Sequence, residues 1–183
     1  MKKIILFGDS ITAGYKNGEI DTILNDKINE KLPDALIRNA GIPGDTTRGA
    51  LDRVERHVLA YCPDVVTVFF GANDAWLYSG ITENEFQENL ETLIKRLSGS
   101  RVVLLGVPYA NQSVHDMERS EERLRRFNDV SKAVAKKYQV PFIDVLTEML
   151  VDENQVRYLQ EDGLHFSEEG YRLLARLIIE EIQ

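Results

Sequence analysis

Five short apolar runs, separated by longer stretches with a different spacing of apolar residues, constrain the fold of this chain more than any other feature. The runs are nearly continuous and rich in Val, Ile and Phe, which is typical of strands covered on both faces. They comprise Lys3–Phe7, Ala35–Arg38, Val65–Phe70, Val102–Val107 and Pro141–Val145. The sequence therefore predicts five strands within a covered sheet, rather than strands with one face in water.

Between the runs, apolar residues recur with the 3.6-residue period of an amphipathic helix. One helix is expected over residues 20–32. Four more are predicted from apolar stripes: Leu51, Val54, Val58 and Tyr61; Phe86, Leu90, Leu93, Ile94 and Leu97; Leu124, Phe127, Ser131, Val134 and Tyr138; and Tyr171, Leu174, Ala175 and Ile178. Thr82 to Glu85 has the pattern of a capping box, and Ser167 is expected to cap the last helix.

Strands joined by helices of this length require right-handed crossovers and a parallel sheet. We therefore expect an α/β fold, a three-layer α/β/α sandwich, in one domain over residues 1–183. No repeat, low-complexity stretch or flexible linker interrupts the chain.

The charge and hydropathy patterns disfavour several classes of partner. The chain has 22 basic and 30 acidic residues, a formal net charge of −8, which disfavours nucleic acid and anionic membrane surfaces. No apolar window approaches the roughly 18 residues of a membrane span. The apolar run after Lys3 stops at Gly8, too short for a signal peptide. We predict a cytoplasmic protein with no nucleic-acid partner and no stable membrane association.

Polar segments follow the strands at the edge where parallel sheets carry their chemistry. Gly8-Asp9-Ser10-Ile11-Thr12 follows the first strand, and Asn39–Thr47 follows the second. Gly71-Ala72-Asn73-Asp74 follows the third, and Asp162-Gly163-Leu164-His165 precedes the last helix. Each segment pairs a turn-forming glycine with a group able to attack, to accept a proton or to donate a hydrogen bond.

Ser10, Asp162 and His165 are the candidate catalytic residues. A carboxylate three residues before a histidine can accept a hydrogen bond from one ring nitrogen, which leaves the other nitrogen free to accept a serine proton. Each residue also has a plainer interpretation: Ser10 as a helix cap, Asp162-Gly163 as a turn, and His165 as a residue that precedes a helix.

Three other residues could compete for these roles. His57 lies within a predicted helix and is expected to be a partly buried packing residue. His115 lies in a long connection and could line a substrate pocket or lie in a solvated loop. Cys62 is the only cysteine, so no internal disulfide can form, and we expect it to be a small buried filler.

An ester hydrolase also needs hydrogen-bond donors for the oxyanion of its tetrahedral intermediate. The Ser10 N–H, the Gly41 N–H and the neutral Asn73 amide are the candidates. Turn chemistry at strand ends is the alternative explanation for Gly41 and Asn73.

The four segments together resemble the motif blocks of the SGNH hydrolases, also called the GDSL esterase/lipase family. Gly8-Asp9-Ser10-Ile11 has Ile where the family name has Leu, and the other matches are Gly41, Gly71–Asp74 and Asp162–His165. The resemblance implies a flavodoxin-like five-stranded sheet in the order 2-1-3-4-5. It also implies Ser10 as nucleophile, His165 as general base, Asp162 as its orienting partner, and an oxyanion hole of Ser10, Gly41 and Asn73. Asp9 and Asp74 are expected to brace the loops.

The family acts on esters from acetylated sugars to lysophospholipids, so the motifs do not select a substrate. The lack of a large insertion or apolar lid favours a short acyl group on a small-molecule ester. Residues 75–78, Ala-Trp-Leu-Tyr, could form an apolar wall of the site or belong to the core.

Two other functions compete with ester hydrolysis. Acyl transfer to an acceptor other than water would use the same acyl-enzyme. A flavodoxin-like nucleotide-binding module is suggested by residues 41–47, although they lack the Gly-Lys-Ser/Thr ending of a P-loop. Neither paired cysteines nor a His-x-x-x-His pattern is present, and we expect no cofactor and no metal.

Overall fold

The computed structural model describes every residue from Met1 to Gln183. Its strands are β1 (Lys3–Gly8), β2 (Tyr15–Lys16), β3 (Glu19–Ile20), β4 (Leu36–Gly41), β5 (Val65–Phe69), β6 (Arg101–Leu105) and β7 (Phe142–Ile143). β2 and β3 form a separate antiparallel hairpin. The other five form one parallel sheet in the order β4-β1-β5-β6-β7. Counted along the chain, this is the order 2-1-3-4-5, which confirms the predicted flavodoxin-like fold.

Helices occupy the connections between these strands, and those around the sheet fall into two groups. They are α1 (Ser10–Ala13), α2 (Ile23–Lys31), α3 (Thr47–His57), α4 (Glu83–Arg96), α5 (Gln112–His115), α6 (Glu121–Tyr138), α7 (Val145–Leu150) and α8 (Glu168–Ile182). α2 packs against α8, whereas α4 packs against both α3 and α6. The sheet is flanked by these groups, as the three-layer prediction requires. None of the helices combines the length and apolar character needed to cross a membrane.

The register of the central strands brings three strand ends together. β1 is buried from Ile4 onward, and its last residue, Gly8, pairs with Gly41 of β4 and with Phe69 of β5. The polar segments that follow these strands therefore begin side by side at one edge of the sheet.

The predicted helical stripes are buried or half-buried except at one position. α3 ends at His57, so the helix does not carry the stripe to Tyr61, which lies in a short 3₁₀ turn and is 40% exposed. The guanidinium of Arg38 lies over the Tyr61 ring at 3.6 Å. The prediction that Tyr61 belongs to the apolar face of this helix was wrong.

Cys62 is exposed, so the prediction that it is a buried filler was also wrong. It adopts a left-handed conformation, with φ 48°, directly after the 3₁₀ turn. The chain reverses there before entering β5 at Val65, and a residue at such a reversal projects to the surface.

The helix starts follow the sequence signals in part. The Ser167 hydroxyl accepts the Gly170 N–H at 3.2 Å, which confirms the cap of α8. The Thr82 hydroxyl accepts the Glu85 N–H at 3.2 Å, but the Glu85 carboxylate binds Arg48. Only half of the predicted capping box is therefore formed.

The helix expected over residues 20–32 is shorter in the structure and spans Ile23–Lys31. Residues 15–20 form the β2–β3 hairpin instead. This hairpin could not be predicted from the sequence, since strands of two residues are too short to show an apolar period.

Candidate active site

Ser10 lies at the turn between β1 and α1. The Asp9 carboxylate accepts the Ile11 N–H at 2.9 Å and so caps the helix that begins at Ser10. Gly8 permits the turn, because a Cβ atom there would lie only 2.5 Å from the Phe69 carbonyl oxygen. The Ser10 side chain is thereby fixed, almost fully buried, at the edge where the central strands end.

The structure brings Ser10, His165 and Asp162 into one hydrogen-bonded chain. Ser10 Oγ lies 3.0 Å from His165 Nε2, and His165 Nδ1 lies 2.6 Å from Asp162 Oδ2. The other Asp162 oxygen accepts the backbone N–H groups of Leu164 and His165 at 2.9 and 3.0 Å. When Nδ1–H donates a hydrogen bond to the carboxylate, Nε2 is left as an acceptor for the serine hydroxyl proton.

Hydrogen bonding keeps Asp162 ionised. Partial burial opposes its charge, but the His165 ring and the two N–H groups outweigh this effect and lower the pKa of the Asp162 carboxyl. A carboxylate with a lowered pKa remains an acceptor for the imidazole throughout the neutral range.

One face of the His165 ring is covered by Tyr15 of the hairpin, with ring centroids 4.3 Å apart. The Gln160 amide donates to the Tyr15 carbonyl, and the Gln160 backbone N–H donates to the His165 carbonyl. Tyr15 and Gln160 thus fix the imidazole, and neither residue was identified from the sequence because their contacts are entirely tertiary.

Asn73 lies beside the loop that follows β4. Its amide nitrogen donates to the Asp45 carbonyl at 2.9 Å, which uses one of its two N–H groups. The Ile42 N–H donates to the Gly8 carbonyl at 3.1 Å and so joins the same loop to the end of β1. The structure therefore brings the third motif segment to the loop that adjoins the Ser10 turn.

Gly41 is placed differently from the sequence prediction. Its N–H donates to Asn39 Oδ1 at 2.9 Å and is not free for another acceptor. A Cβ atom at Gly41 would lie 2.3 Å from Ala13 N and 2.8 Å from the Asp9 carbonyl oxygen. In this structure Gly41 allows β4 to pack closely against α1.

Gly44, three residues further on, has the properties expected of a free donor. It adopts φ +76°, nothing lies near the position of an added Cβ atom, and its N–H has no acceptor in the chain. The Pro43-Gly44 dipeptide is a turn signal in the sequence, and it could have drawn attention to this residue.

Two buried carboxyl groups support the loops of the site. Burial raises the pKa of Asp9 to about 7, although the Ile11 N–H opposes the shift. Burial likewise raises the pKa of Asp74 to about 6, against hydrogen bonds from the Thr47 hydroxyl and N–H. Asp74 Oδ2 has no hydrogen-bond partner. Both side chains brace the turns, as expected, and neither belongs to the Ser10–His165–Asp162 chain.

The other two histidines lie outside this chain of hydrogen bonds. His57 is partly buried on α3, and burial together with nearby arginines lowers its pKa. His115 is also partly buried, and its Nε2 lies 2.7 Å from the Asp162 carbonyl oxygen. Its side chain therefore contacts the loop that carries Asp162.

Residues 75–78 are partly in the core and partly at the surface. Ala75 is fully buried in the core, whereas Leu77 and Tyr78 are 49% and 67% exposed. The Trp76 indole N–H donates to Glu118 at 3.2 Å. The exposed members follow Asn73 closely in the sequence.

Comparison with known proteins places the chain in a family. Residues 6–173 match the GDSL-like Lipase/Acylhydrolase family. The crystal structure of a lipase/acylhydrolase from Enterococcus faecalis superposes with a TM-score of 0.95 and 42% identity, covering 100% of this chain and 95% of that one.

Two further relatives are similar along nearly the whole of this chain. An arylesterase of Vibrio mimicus is 26% identical over 99% of this chain and 88% of its own. A rat protein named isoamyl acetate-hydrolyzing esterase 1 homolog is 30% identical over 94% of this chain and 78% of its own. The chain belongs to the GDSL-like lipase/acylhydrolase family and is a carboxylic ester hydrolase.

Proposed function

We propose that this protein hydrolyses small esters through an acyl-enzyme formed on Ser10, with His165 as general base and Asp162 as its orienting partner. The observation that carries the proposal is the continuous chain of contacts from Ser10 Oγ to His165 Nε2 (3.0 Å) and from His165 Nδ1 to Asp162 Oδ2 (2.6 Å).

In the first half-reaction, Ser10 Oγ attacks the ester carbonyl carbon while its proton passes to His165 Nε2. The imidazolium then protonates the leaving alkoxide as the C–O bond breaks, and the acyl group remains on Ser10. In the second half-reaction, His165 takes a proton from water, whose oxygen attacks the acyl carbon. The same proton returns to Ser10 Oγ as the carboxylic acid leaves, so the enzyme is regenerated without net proton gain.

We assign the oxyanion hole to the Ser10 N–H, the Gly44 N–H and the Asn73 amide. The Ser10 and Gly44 N–H groups have no acceptor in the chain. Asn73 is anchored at Asp45, the residue after Gly44, and retains one N–H. Gly44 replaces Gly41 in this proposal because the Gly41 N–H is already paired with Asn39.

A short acyl group is the substrate class that we favour. The rat relative is named for hydrolysis of isoamyl acetate, an acetate ester, and this chain lacks a long insertion that could cover an extended acyl chain.

The decisive experiment is to replace Ser10 with alanine. Ser10→Ala should lose about 10⁴-fold or more in kcat on p-nitrophenyl acetate. The reason is that Ser10 is the only member of the proposed Ser10–His165–Asp162 triad that forms the acyl-enzyme. A fluorophosphonate should label the wild-type protein once, at Ser10. Ser113→Ala is the matched control, since Ser113 is exposed and its hydroxyl makes no hydrogen bond. Labelling at another serine, with Ser10→Ala still active, would refute the proposal.

The acyl-length proposal has a separate measurement. For a series of p-nitrophenyl esters, kcat/KM should be highest from acetyl to butyryl and should fall for dodecanoyl, because the long chain would remain in water. A steady rise with chain length would contradict the short-acyl assignment while leaving the proposed mechanism intact.

A further inference from the structure

We propose that His115 is a positioning residue for the loop of residues 160–165, called here the base loop. In this inference the His115 imidazole holds the Asp162 carbonyl and thereby keeps the Asp162 carboxylate aligned with His165. The inference rests on the proposed function, since it concerns the geometry of the proposed catalytic pair.

Two consecutive carbonyl groups of the base loop accept hydrogen bonds from α5 and the residue that caps it, together called here the α5 segment (residues 111–115). His115 Nε2 lies 2.7 Å from the Asp162 carbonyl oxygen. Because a carbonyl oxygen can only accept, Nε2 carries the hydrogen and donates it. The Asn111 N–H donates to the next carbonyl, that of Gly163, at 2.8 Å. These two bonds connect segments about fifty positions apart in the sequence.

The fit between the two segments is close. Gly163 has φ +71°, and a Cβ atom there would lie 2.9 Å from Asn111 Cβ and 3.4 Å from His115 Cδ2. Glycine is therefore required both for the backbone conformation and for the approach of the α5 segment. The imidazole edge packs directly on the turn that separates Asp162 from His165.

The backbone at His115 is itself held in place by the residues that follow it. The Arg119 N–H donates to the His115 carbonyl at 2.7 Å, and the buried Arg119 guanidinium donates to the Ala72 carbonyl at 2.9 Å. The Leu77 N–H donates to the Glu118 carbonyl at 2.8 Å. Residues 111–119 therefore connect the segment that carries Asn73 to the base loop, and His115 makes the side-chain contact with that loop.

Asp162 depends on such outside contacts because its carboxylate bonds only within its own loop. Its three partners are the N–H of Leu164 and the N–H and ring of His165. These bonds align the carboxylate with the imidazole only while the turn of residues 162–165 keeps its conformation. A shift of the Asp162 backbone by about 1 Å would lengthen the Asp162–His165 contact and can cost on the order of 100-fold in rate.

A matched pair of amide substitutions tests the role of the donor. In His115→Gln the amide nitrogen occupies nearly the position of Nε2, whereas in His115→Asn it lies near the position of Nδ1 and cannot reach the Asp162 carbonyl. We expect His115→Gln to retain kcat on p-nitrophenyl acetate within about threefold, and His115→Asn to lose about 10–100-fold, with KM changed less than about twofold in both. Ser113→Ala, on the same turn of helix, should match the wild type.

A spectroscopic readout separates positioning from general loss of stability. The downfield ¹H resonance of the His165 Nδ1–H bound to Asp162 should persist in wild type and His115→Gln. It should broaden or disappear in His115→Asn at temperatures well below the measured Tm. Equal kcat and an unchanged resonance in His115→Asn, or equal losses in Asn and Gln variants, would overturn the role of His115.

The outcome for the proposed function is read independently in the same assay. If Ser10→Ala retains wild-type activity, the proposed function fails whatever the His115 variants do. If Ser10→Ala is inactive and His115→Asn is fully active with an intact resonance, only the positioning role of His115 fails.

Discussion

In the proposed oxyanion hole, the Asn73 side chain combines a structural and a chemical role. One N–H of its amide is used by the Asp45 carbonyl at 2.9 Å, which fixes the amide plane. The remaining N–H then points in a set direction without needing to reorganise during the reaction. A preorganised neutral donor of this kind stabilises negative charge that develops only in the transition state.

Replacing Asn73 with alanine should therefore affect the chemical step more than binding. We expect kcat to fall by about 10²–10³ with little change in KM, since the oxyanion forms only after substrate is bound. Asn73→Asp should be slower still, because a carboxylate would face the developing negative charge. Steady-state kinetics, with a thermal melt of each variant, make the measurement.

A folded Asn73→Ala protein whose kcat stays within fivefold of wild type would remove Asn73 from the oxyanion hole. Its amide would then serve only to hold the loop at Asp45.

At the scale of secondary structure, the site depends on how closely β4 packs on α1. Gly41 at the end of β4 lies against the backbone of Asp9 and Ala13, which flanks Ser10 on both sides. The Asn39 side chain adds a link, donating to the Thr12 carbonyl at 2.6 Å while accepting the Gly41 N–H. A displacement of β4 relative to α1 would thus move the serine.

Gly41→Ala and Gly44→Ala should separate packing from conformational strain. A methyl group at Gly41 must displace backbone atoms, so we expect a loss of about 3 kcal/mol in the free energy of unfolding and a large fall in kcat. At Gly44 the space is open, and the cost is the left-handed φ alone, about 1–2 kcal/mol. Chemical denaturation of both variants gives the comparison. Equal losses in the two would show that close packing at Gly41 is unimportant.

At the scale of the whole molecule, two carboxyl groups next to the site lie in the interior of the fold. Asp9 is 2% exposed and Asp74 is fully buried. The nearby Arg53, itself 5% exposed, donates to Asp45 and to the Gly8 and Ala40 carbonyls. Arg53 thus connects the ends of β1 and β4, but it leaves the carboxyl of Asp9 without an ion-pair partner.

The raised pKa of Asp9 predicts a pH dependence of stability. The folded protein keeps the Asp9 proton up to a pKa of about 7, whereas the unfolded chain loses it near 3.8. Between these values the folded state binds more protons, so the free energy of unfolding due to Asp9 decreases as pH rises, and it levels off above pH 7.

Asp9→Asn should remove this loss while keeping an oxygen that can cap Ile11. Between pH 5 and pH 8, the free energy of unfolding of wild type should fall relative to that of Asp9→Asn. We expect this difference to change by on the order of 2 kcal/mol in favour of the variant. Urea denaturation across that range measures it. Parallel pH profiles for the two proteins would mean that Asp9 does not hold its proton in the fold.

Local patterns in the chain were sufficient to predict most of the architecture. Continuous apolar runs and 3.6-residue stripes depend on burial, which acts on each segment separately. The five strands and the caps of α4 and α8 follow from such signals, whereas the strand order was implied only by the family resemblance. Ser10, Asp162 and His165 could be predicted as well, because the Asp162–His165 spacing itself permits their hydrogen bond.

Tertiary structure alone decided the features that depend on contacts between distant segments. The exposure of Tyr61 and Cys62 depends on where α3 ends, and the pairing of the Gly41 N–H with Asn39 is visible only once β4 is folded. Cytoplasmic location and the absence of a nucleic-acid partner stay predictions from composition.

The sequence by itself determined which groups could react, since chemical identity and local spacing are written in the chain. The tertiary structure decided which backbone N–H remained free and brought His115, as well as His165, into contact with Asp162. The physical reason is that a hydrogen bond requires its two atoms to lie within about 3 Å. Chain segments as distant as Ser10 and His165, 155 positions apart, meet at that distance only through the packing of the whole sheet and its helices.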